Sequence, residues 1–254
     1  MERAEIERVK YTVRPCETLE ELAALVKIQQ EIWGYAEHEV YPLRLFVTLR
    51  KIGGQVLGAF TPGGALVGFV ASLPAWHGAE RYYHSLSLGV LRAHENRGLG
   101  RALKTAQRRE ALRAGIGLIE WTFDPLRAKN AFLNIVRLGA IARSYQPDCY
   151  GEVESRFQRG LPSDRLIAEW RLSSTRVKRA MAGKPPRASK TAPAVTLEIP
   201  ADIDGLSQAS PAEARRRQLA VRTQLQKFFA QKLAITGFEH DARSARYLLD
   251  PYED

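Results

Sequence analysis

The stretch Glu95-Asn96-Arg97-Gly98-Leu99-Gly100 lies between a predicted strand over residues 82–90 and a predicted helix that begins near Leu99. A glycine-bearing turn that opens a helix directs several backbone N–H groups at one point, and the helix dipole adds positive charge there. The two glycines have no Cβ that would keep a ligand from the main chain. Arg97 and Arg101 add two cations. The stretch therefore predicts a seat for a phosphate group.

The turn does not fit two common phosphate-binding motifs. The sequence contains no G-x-x-x-x-G-K-[ST] run, and no G-x-G-x-x-G run followed by a ribose-binding acid. A plain tight turn is a frequent alternative for a Gly-x-Gly sequence, so the surrounding pattern has to decide between the two interpretations.

Strands and helices alternate around this turn. Thr18 and Glu21 form a predicted capping box for a helix that ends at Gly34. Hydrophobic periodicity then predicts, in chain order, strand 11–14, that helix, helix 43–51, a hairpin of strands 55–60 and 65–73, strand 82–90, the helix after the glycine turn, strand 118–123, helix 128–138, and strands 140–145 and 165–172. This order predicts a mixed sheet covered by helices on its faces.

Composition places the chain among ordinary globular proteins. Of its 254 residues, 45% are hydrophobic and 26% are charged. No apolar run approaches the ~20 residues that span a bilayer, and residues 1–10 lack the apolar core of a signal peptide. Cys16 and Cys149 form no metal-binding spacing. We therefore expect no metal, no membrane and a cytoplasmic location.

The net charge of +10 suits an anionic partner, but it does not choose among small molecules, acidic substrates and nucleic acid. Residues 173–194 are rich in Lys, Arg, Pro, Ser and Ala and contain no acid, which predicts an exposed linker or long loop. Contact with nucleic acid is an alternative interpretation. Because basic solvated loops are common, nucleic acid is not the partner we expect.

Residues 195–254 are predicted to form an appended strand-helix-strand unit. Residues 210–213, Ser-Pro-Ala-Glu, combine a capping box with Pro at the first helical position. The helix after them has an apolar stripe at i, i+4, i+7 and i+8, formed by Val221, Leu225, Phe228 and Phe229. The stripe predicts that this unit packs on the preceding domain.

Residues 88–103 resemble motif A of the GNAT acyl-CoA N-acyltransferases, Gln/Arg-x-x-Gly-x-Gly/Ala, which cradles the coenzyme A pyrophosphate. Glu95 stands where the motif has Gln or Arg. A seat built from backbone N–H groups tolerates that change, and we expect the Glu95 side chain to point away. Residues 121–126, Asn130-Ala131 and residues 138–140 resemble more specifically a subgroup of larger bacterial members, and some proteins near that subgroup resemble amino-acid N-succinyltransferases.

The resemblance implies an α/β fold with a GNAT-like mixed central sheet flanked by helices and a C-terminal extension. We expect an acyltransferase domain at 11–172, the linker at 173–194, and the extension at 195–254. The implied activity is transfer of an acyl group from acetyl-CoA or another acyl-CoA to a primary amine of a small molecule, by direct attack with a general base. Transfer of succinyl to an amino acid and a non-catalytic coenzyme A sensor stay open. The oligomeric state also stays open, and a homodimer is one alternative.

The resemblance also suggests catalytic residues. In several GNAT enzymes a catalytic Glu or His stands eleven residues before the motif, and His84 has that offset from Glu95. Histidine suits proton transfer near neutral pH, although a satisfied strand histidine is the alternative. Glu120 and Asp124 are further candidates for the base, and Asp124 before Pro125 is equally consistent with a turn.

A tyrosine that protonates the leaving thiolate in many GNAT enzymes is replaced by Ile135, in the register counted back from Gly139. Tyr145 and Tyr150 lie nearby in sequence as substitutes. The predicted coenzyme-binding residues are Leu88, Gly89, Val90, Glu95, Asn96, Arg97, Gly98, Leu99, Gly100, Arg101, Asn130 and Asn134. Residues 37–39, Glu-His-Glu, fall where the fold often places acceptor-binding loops, and a solvated loop explains them equally well.

Overall fold

The computed structural model describes residues 11–151, 160–184, 186, 192–241 and 244–252. Its helices are α1 (Leu19–Trp33), α2 (Leu43–Lys51), α3 (Leu99–Arg113), α4 (Ala128–Ala131), α5 (Thr175–Met181), α6 (Ile203–Ala209) and α7 (Pro211–Ala230). Its strands are β1 (Thr12–Pro15), β2 (Gln55–Phe60), β3 (Leu66–His77), β4 (Glu80–Val90), β5 (Leu118–Phe123), β6 (Ile141–Gln146), β7 (Arg165–Arg171), β8 (Val195–Ile199), β9 (Leu233–His240) and β10 (Ala245–Pro251).

The described strands form one ten-stranded sheet in the order β1-β2-β3-β4-β5-β7-β6-β9-β10-β8. Neighbouring strands run antiparallel, except for β4 and β5, which run parallel. A parallel pair needs a crossover connection, and α3 supplies it. The α/β class and the mixed sheet flanked by helices are therefore confirmed.

Helices cover the two faces of the first half of the sheet separately. Val56 of β2 packs in a core with α1 and α2, whereas the next residue, Leu57, packs in a second core with α3. This alternation follows from the two-residue period of a strand. It leaves α1 and α2 on one face of the sheet and α3 on the other.

The N-terminus of α1 contains the predicted capping box. The Thr18 hydroxyl accepts a hydrogen bond from the backbone N–H of Glu21, and the Glu21 carboxylate accepts one from the backbone N–H of Thr18. Arg14 of β1 donates two further hydrogen bonds to this carboxylate, at 2.6 and 3.1 Å. Glu21 therefore joins the first strand to the first helix.

We expect Glu21→Gln to lower the free energy of unfolding by up to about 1 kcal/mol at neutral pH, because the neutral amide loses the ion pair with Arg14. The Arg14 guanidinium lowers the pKa of Glu21 from 4.5 to about 2. The stabilisation is therefore complete above about pH 4.5 and is lost as the pH falls towards 2. Urea unfolding at several pH values measures it, with Glu31→Gln, at an exposed position of the same helix, as the control. A difference between wild type and variant that does not shrink in acid would contradict this assignment.

The basic segment differs from its prediction in part. Residues 173–194 were expected to be an exposed linker or loop, but the segment contains helix α5, whose Val177 and Ala180 are buried. Arg176 of this helix donates hydrogen bonds to the backbone carbonyls of Ile135, Gly139 and Thr236. Composition alone does not reveal such a helix, because its two buried side chains are small.

The C-terminal residues extend the main sheet. Strand β9 pairs with β6 at Ala142 and Ile235, so the strands after the basic segment continue the sheet of the first part. Helix α6 was not predicted. Helix α7 begins at Pro211 as expected, but the Ser210 side chain makes no capping hydrogen bond. Along the predicted stripe, Val221 and Leu225 are buried, whereas Phe228 and Phe229 are half-buried at the edge of the core.

The domain boundaries at 172 and 195 stay a prediction. None of the helices in the described part of the chain has the length and hydropathy of a membrane span.

Candidate functional site

The glycine turn has the backbone that its sequence predicts. Asn96 and Gly98 have positive φ angles of 58° and 81°, and Gly98 is the N-cap of α3. The space where a Cβ of Gly98 would lie has no atom within 4 Å. A Cβ on Gly100 would make only ordinary contacts with Leu88 and Leu133. The start of α3 is thus open to an anionic group of the size and charge of a pyrophosphate.

The charged side chains around the turn have protein partners. Glu95 accepts a hydrogen bond from Lys129 at 2.9 Å, and Arg97 donates one to the Tyr11 hydroxyl at 3.1 Å. Arg101 donates to the backbone carbonyls of Ala180 and Met181 at the end of α5. Backbone N–H groups are therefore the main donors that the turn offers to a ligand. The Arg101 side chain is instead hydrogen-bonded to the basic segment.

We expect Gly98→Val to weaken acetyl-CoA binding by about 2 kcal/mol, because a Cβ would enter the seat and the charge-assisted hydrogen bonds would be lost. Gly115→Val is a matched control. Gly115 follows the other end of α3, has a φ of 72° and also has no atom within 4 Å of its Cβ position. Both variants carry similar backbone strain, so titration calorimetry should show weakening in Gly98→Val alone. Equal affinities in the two folded variants would rule out the seat.

Strands β4 and β5 separate into a fork beside this turn. They pair at only two positions, Tyr83 with Ile119 and His84 with Glu120. Beyond His84, β4 has a bulge at Leu86. Two successive residues of β3, Ala71 and Ser72, pair with Ser87 and Ser85, so Leu86 has no partner in this register. A bulge bends its strand. The bend occurs where β4 leaves β5, so the fork opens towards the carboxyl ends of both strands.

His84 and Glu120 lie side by side at the apex of the fork. They are cross-strand partners, so their side chains share one face of the sheet. Burial lowers the pKa of His84 below 6.5, and the negative charge of Glu120 opposes that shift. A second histidine that sequence reasoning did not select, His77, contacts Glu120 through Nε2 at 3.0 Å. The structure therefore places two histidines and a carboxylate together.

Asp124 lies apart from this group, at the turn after β5. Its Oδ1 accepts the backbone N–H of Leu126 at 2.8 Å, and its other oxygen lies 3.5 Å from Arg127. Burial raises the pKa of Asp124. These contacts are those of a carboxylate that shapes a turn, which was the alternative interpretation of this residue.

Apart from the residues of the glycine turn, the predicted coenzyme-binding residues lie on the β4 arm of the fork, on α4 and on the turn that continues α4. Leu88 and Val90 lie on the β4 arm and contribute to the core under α3. The missing side chain of Gly89 makes room for α1, because a Cβ there would lie 2.8 Å from Ile32 and Trp33.

Two asparagines follow the fork in the chain, on α4 and on the π-helical turn Phe132–Arg137 that continues it. Asn130 is exposed, whereas Asn134 is 5% exposed. No described residue forms a hydrogen bond with the Asn134 side chain. A side-chain amide that no described residue engages is suited to binding the amide groups of a pantetheine arm.

The structure separates the two substitute tyrosines. The Tyr145 hydroxyl donates to Asp164 at 2.6 Å within a buried ion pair. Tyr150 is 54% exposed, and its hydroxyl lies 2.7 Å from that of Thr122, two residues after Glu120 on β5. Tyr150 is therefore the tyrosine beside the fork, while Ile135 is fully buried.

The loop at Glu37–Glu39 forms a short 3-10 turn with no buried residue. Burial mainly raises the pKa of Tyr41 just after it, and ionisation of the nearby Tyr150 and the Glu39 carboxylate act in the same direction. The predicted acceptor loop thus lies near Tyr150.

A polar cavity of about 290 Å³ lies beside the fork apex. It is lined by His77, Glu80, Leu118, Glu120, Arg143, Ser144, Ile167, Glu169 and Arg171. Glu120 and Glu169 are cross-strand partners that are 9% and 7% exposed, and Arg143 donates a hydrogen bond to Glu169 at 2.8 Å. The cavity combines carboxylates that attract an amine with guanidinium groups that attract an anion.

Sequence reasoning also missed Lys104, which is buried on α3. Its Nζ lies 3.6 Å from the centre of the Trp121 ring and forms hydrogen bonds with Ser85 and Gln107. Burial lowers the pKa of Lys104 well below its usual value. Lys104 directly follows Leu103, an apolar residue of the predicted helix. The sequence therefore already indicates that Lys104 is close to the side of α3 that faces the sheet.

The forked sheet, with a glycine turn that opens α3, is the arrangement of the GNAT fold. Residues 22–133 match the model of the Acetyltransferase (GNAT) family. The match covers less than half of the chain, so it shows that residues 22–133 are similar to GNAT acetyltransferases. A search of curated protein sequences finds no match.

Solved structures share the fold. YncA from Salmonella typhimurium, solved with its cofactor acetyl-CoA, is 19% identical, with a TM-score of 0.50 over 65% of this chain and 95% of that chain. A GNAT-family acetyltransferase from Streptococcus pneumoniae is 16% identical, with a TM-score of 0.50 over 63% and 98%. A structure assigned to the family from Desulfovibrio desulfuricans is 14% identical, with a TM-score of 0.52 over 65% and 100%. At these identities the likeness concerns the fold.

Proposed function

We propose that the chain transfers an acetyl group from acetyl-CoA to the primary amine of a small molecule, with His84 as the general base. The observation that carries this proposal is the end of β4–β5 pairing at His84 and Glu120, which leaves a fork with a basic group at its apex. The pyrophosphate would bind at the start of α3 and the pantetheine arm would lie along the β4 side of the fork. The thioester would then reach the apex.

The proposed step needs a neutral amine. His84 removes a proton from the ammonium group, and the amine nitrogen attacks the thioester carbonyl. The C–S bond breaks, and the thiolate takes a proton from the Tyr150 hydroxyl or from water. The nitrogen of the new amide gives up its surplus proton, which restores that donor. Because the pKa of His84 is lowered, its imidazole is neutral at pH 7 and ready to accept the proton. Glu120 stabilises the imidazolium that forms, since it lies beside it.

A second candidate for the acyl group and the acceptor is transfer of succinyl to an amino acid. The polar cavity favours this candidate, because Glu120 and Glu169 suit an ammonium group while Arg143 and Arg171 suit a carboxylate. The cavity adjoins Glu120, so an amine bound there would lie next to the proposed base.

Release of coenzyme A thiol from acetyl-CoA and succinyl-CoA tests both candidates with one panel of amines. The panel pairs each amino acid with its amide and with the amine that lacks the carboxyl group. We expect amine-dependent release for at least one member. Preference for free amino acids over their amides selects the second candidate. Tight acyl-CoA binding without release for any amine would instead identify a non-catalytic coenzyme A sensor.

A further inference from the structure

The fork has a second feature on the face opposite His84 and Glu120. Ser85 and Trp121 each follow the last paired residue of their strand, so their side chains point to the α3 side. Lys104 Nζ lies 3.1 Å from Ser85 Oγ and 3.6 Å from the centre of the Trp121 ring. One amine therefore contacts both arms of the fork at the point where their backbone hydrogen bonds stop.

This amine belongs to a buried network without an acidic member. Lys104 donates to Gln107 Oε1 at 2.9 Å, and Gln107 donates to Ser85 at 3.1 Å. The Gln107 carbonyl accepts from Gln55, which in turn accepts from Ser72 at 2.8 Å. Ser72 and Ser85 are the paired residues at the β4 bulge. The network thus fixes the bend of β4 as well as its distance from β5.

Nothing in the proposed reaction uses this lysine directly. It is 3% exposed, and burial favours its uncharged form, which hydrogen-bonds without needing a counter-ion. Charge attraction for a phosphate therefore does not explain it. A buried amine is costly unless its hydrogen bonds are made, and here they are made across the fork.

We propose that Lys104 is a positioning residue that holds the two arms of the fork together and so sets where the acyl thioester stops relative to His84. This proposal rests on the proposed function. Lys104 lies six residues after Gly98, which is about 9 Å along the helix axis. Helix α3 therefore carries both the pyrophosphate seat and the contact that closes the fork, and it fixes the distance between them.

Lys104→Met tests the proposal, because methionine keeps most of the side-chain length and removes the amine. We expect kcat at saturating acetyl-CoA to fall at least tenfold, since a small misplacement of a reacting group has effects of this size. Affinity for coenzyme A itself should stay within about threefold, because the seat at Gly98 is unchanged. Lys227→Met, an exposed lysine of α7, is the control.

Two further measurements separate positioning from a general loss of stability. The effects of Lys104→Met and Ser85→Ala on kcat should not add in the double variant, because each change removes the same hydrogen bond between Lys104 and Ser85. Ser85→Ala alone also carries the test if Lys104→Met does not fold. Hydrogen–deuterium exchange without any ligand should rise in residues 85–90 and 121–123 only, and this readout does not depend on acyl transfer. A kcat within twofold of wild type, or exchange that is unchanged or rises throughout the sheet, overturns the proposal.

Discussion

His84→Ala is expected to lower turnover by 10²–10⁴-fold at neutral pH, which is the usual contribution of one general base. His84 stands at the fork apex, so the affinity for acetyl-CoA should change little. The loss should shrink at high pH, where the amine loses its proton without help. Steady-state kinetics with an accepted amine measures these effects, and His240→Ala, an exposed histidine of β9, is the control.

The pH dependence of kcat/KM tests whether His84 acts in its neutral form. In the wild type, kcat/KM should fall as the pH drops through the His84 pKa, which burial holds below 6.5. The charge of Glu120 raises that pKa, so Glu120→Gln should move the acid limb to lower pH. A loss below threefold in folded His84→Ala, with chemistry rate-limiting, would transfer the role to Glu120 or to a water chain.

Arg222→Met is expected to lower the free energy of unfolding by about 3–5 kcal/mol, because it leaves the charge of a buried carboxylate without its cationic partner. Asp164 is fully buried and accepts two hydrogen bonds from Arg222, at 2.6 and 2.9 Å. Asp164 directly precedes β7, and Arg222 lies on α7. The pair thus connects the C-terminal residues to the strand beside β5.

Urea unfolding measures this loss, with Arg217→Met as the matched control. Arg217 lies on the same helix in an exposed pair with Glu213, which contributes ~0–1 kcal/mol. The double variant Arg222→Met with Asp164→Asn should recover part of the stability, since the uncompensated charge is gone. A loss for Arg222→Met as small as that for Arg217→Met would show that the C-terminal helix contributes little to the stability of the sheet.

Local features were predictable from sequence because their causes are local. The capping box of Thr18 and Glu21 has the predicted hydrogen bonds, and α3 begins at the glycine turn with Gly98 in the left-handed region. By contrast, Ser210 has the same capping pattern without the hydrogen bond. A pattern of residue types therefore predicts a helix start better than it predicts the contact.

Features that depend on strands distant in sequence were less predictable. The pairing of His84 with Glu120 and the cavity beside them require β4, β5 and β7 to be neighbours, which residue spacing does not determine. Lys104 carried a signal, because a lysine on the buried side of a helix needs a polar partner. Its partners, Ser85 on β4 and Trp121 on β5, come next to it only in the folded sheet, so the sequence does not identify them.

The central claim is that the turn at the start of α3 and the fork beside it bind an acyl-CoA. Titration calorimetry with acetyl-CoA and with S-acetylpantetheine, which lacks the pyrophosphate and nucleotide, tests this claim most directly. We expect one acetyl-CoA per chain and at least tenfold weaker binding of S-acetylpantetheine, because each lost charge-assisted hydrogen bond is worth roughly 1.5–3 kcal/mol. Equal affinity for the two thioesters, or no binding of acetyl-CoA, would contradict it.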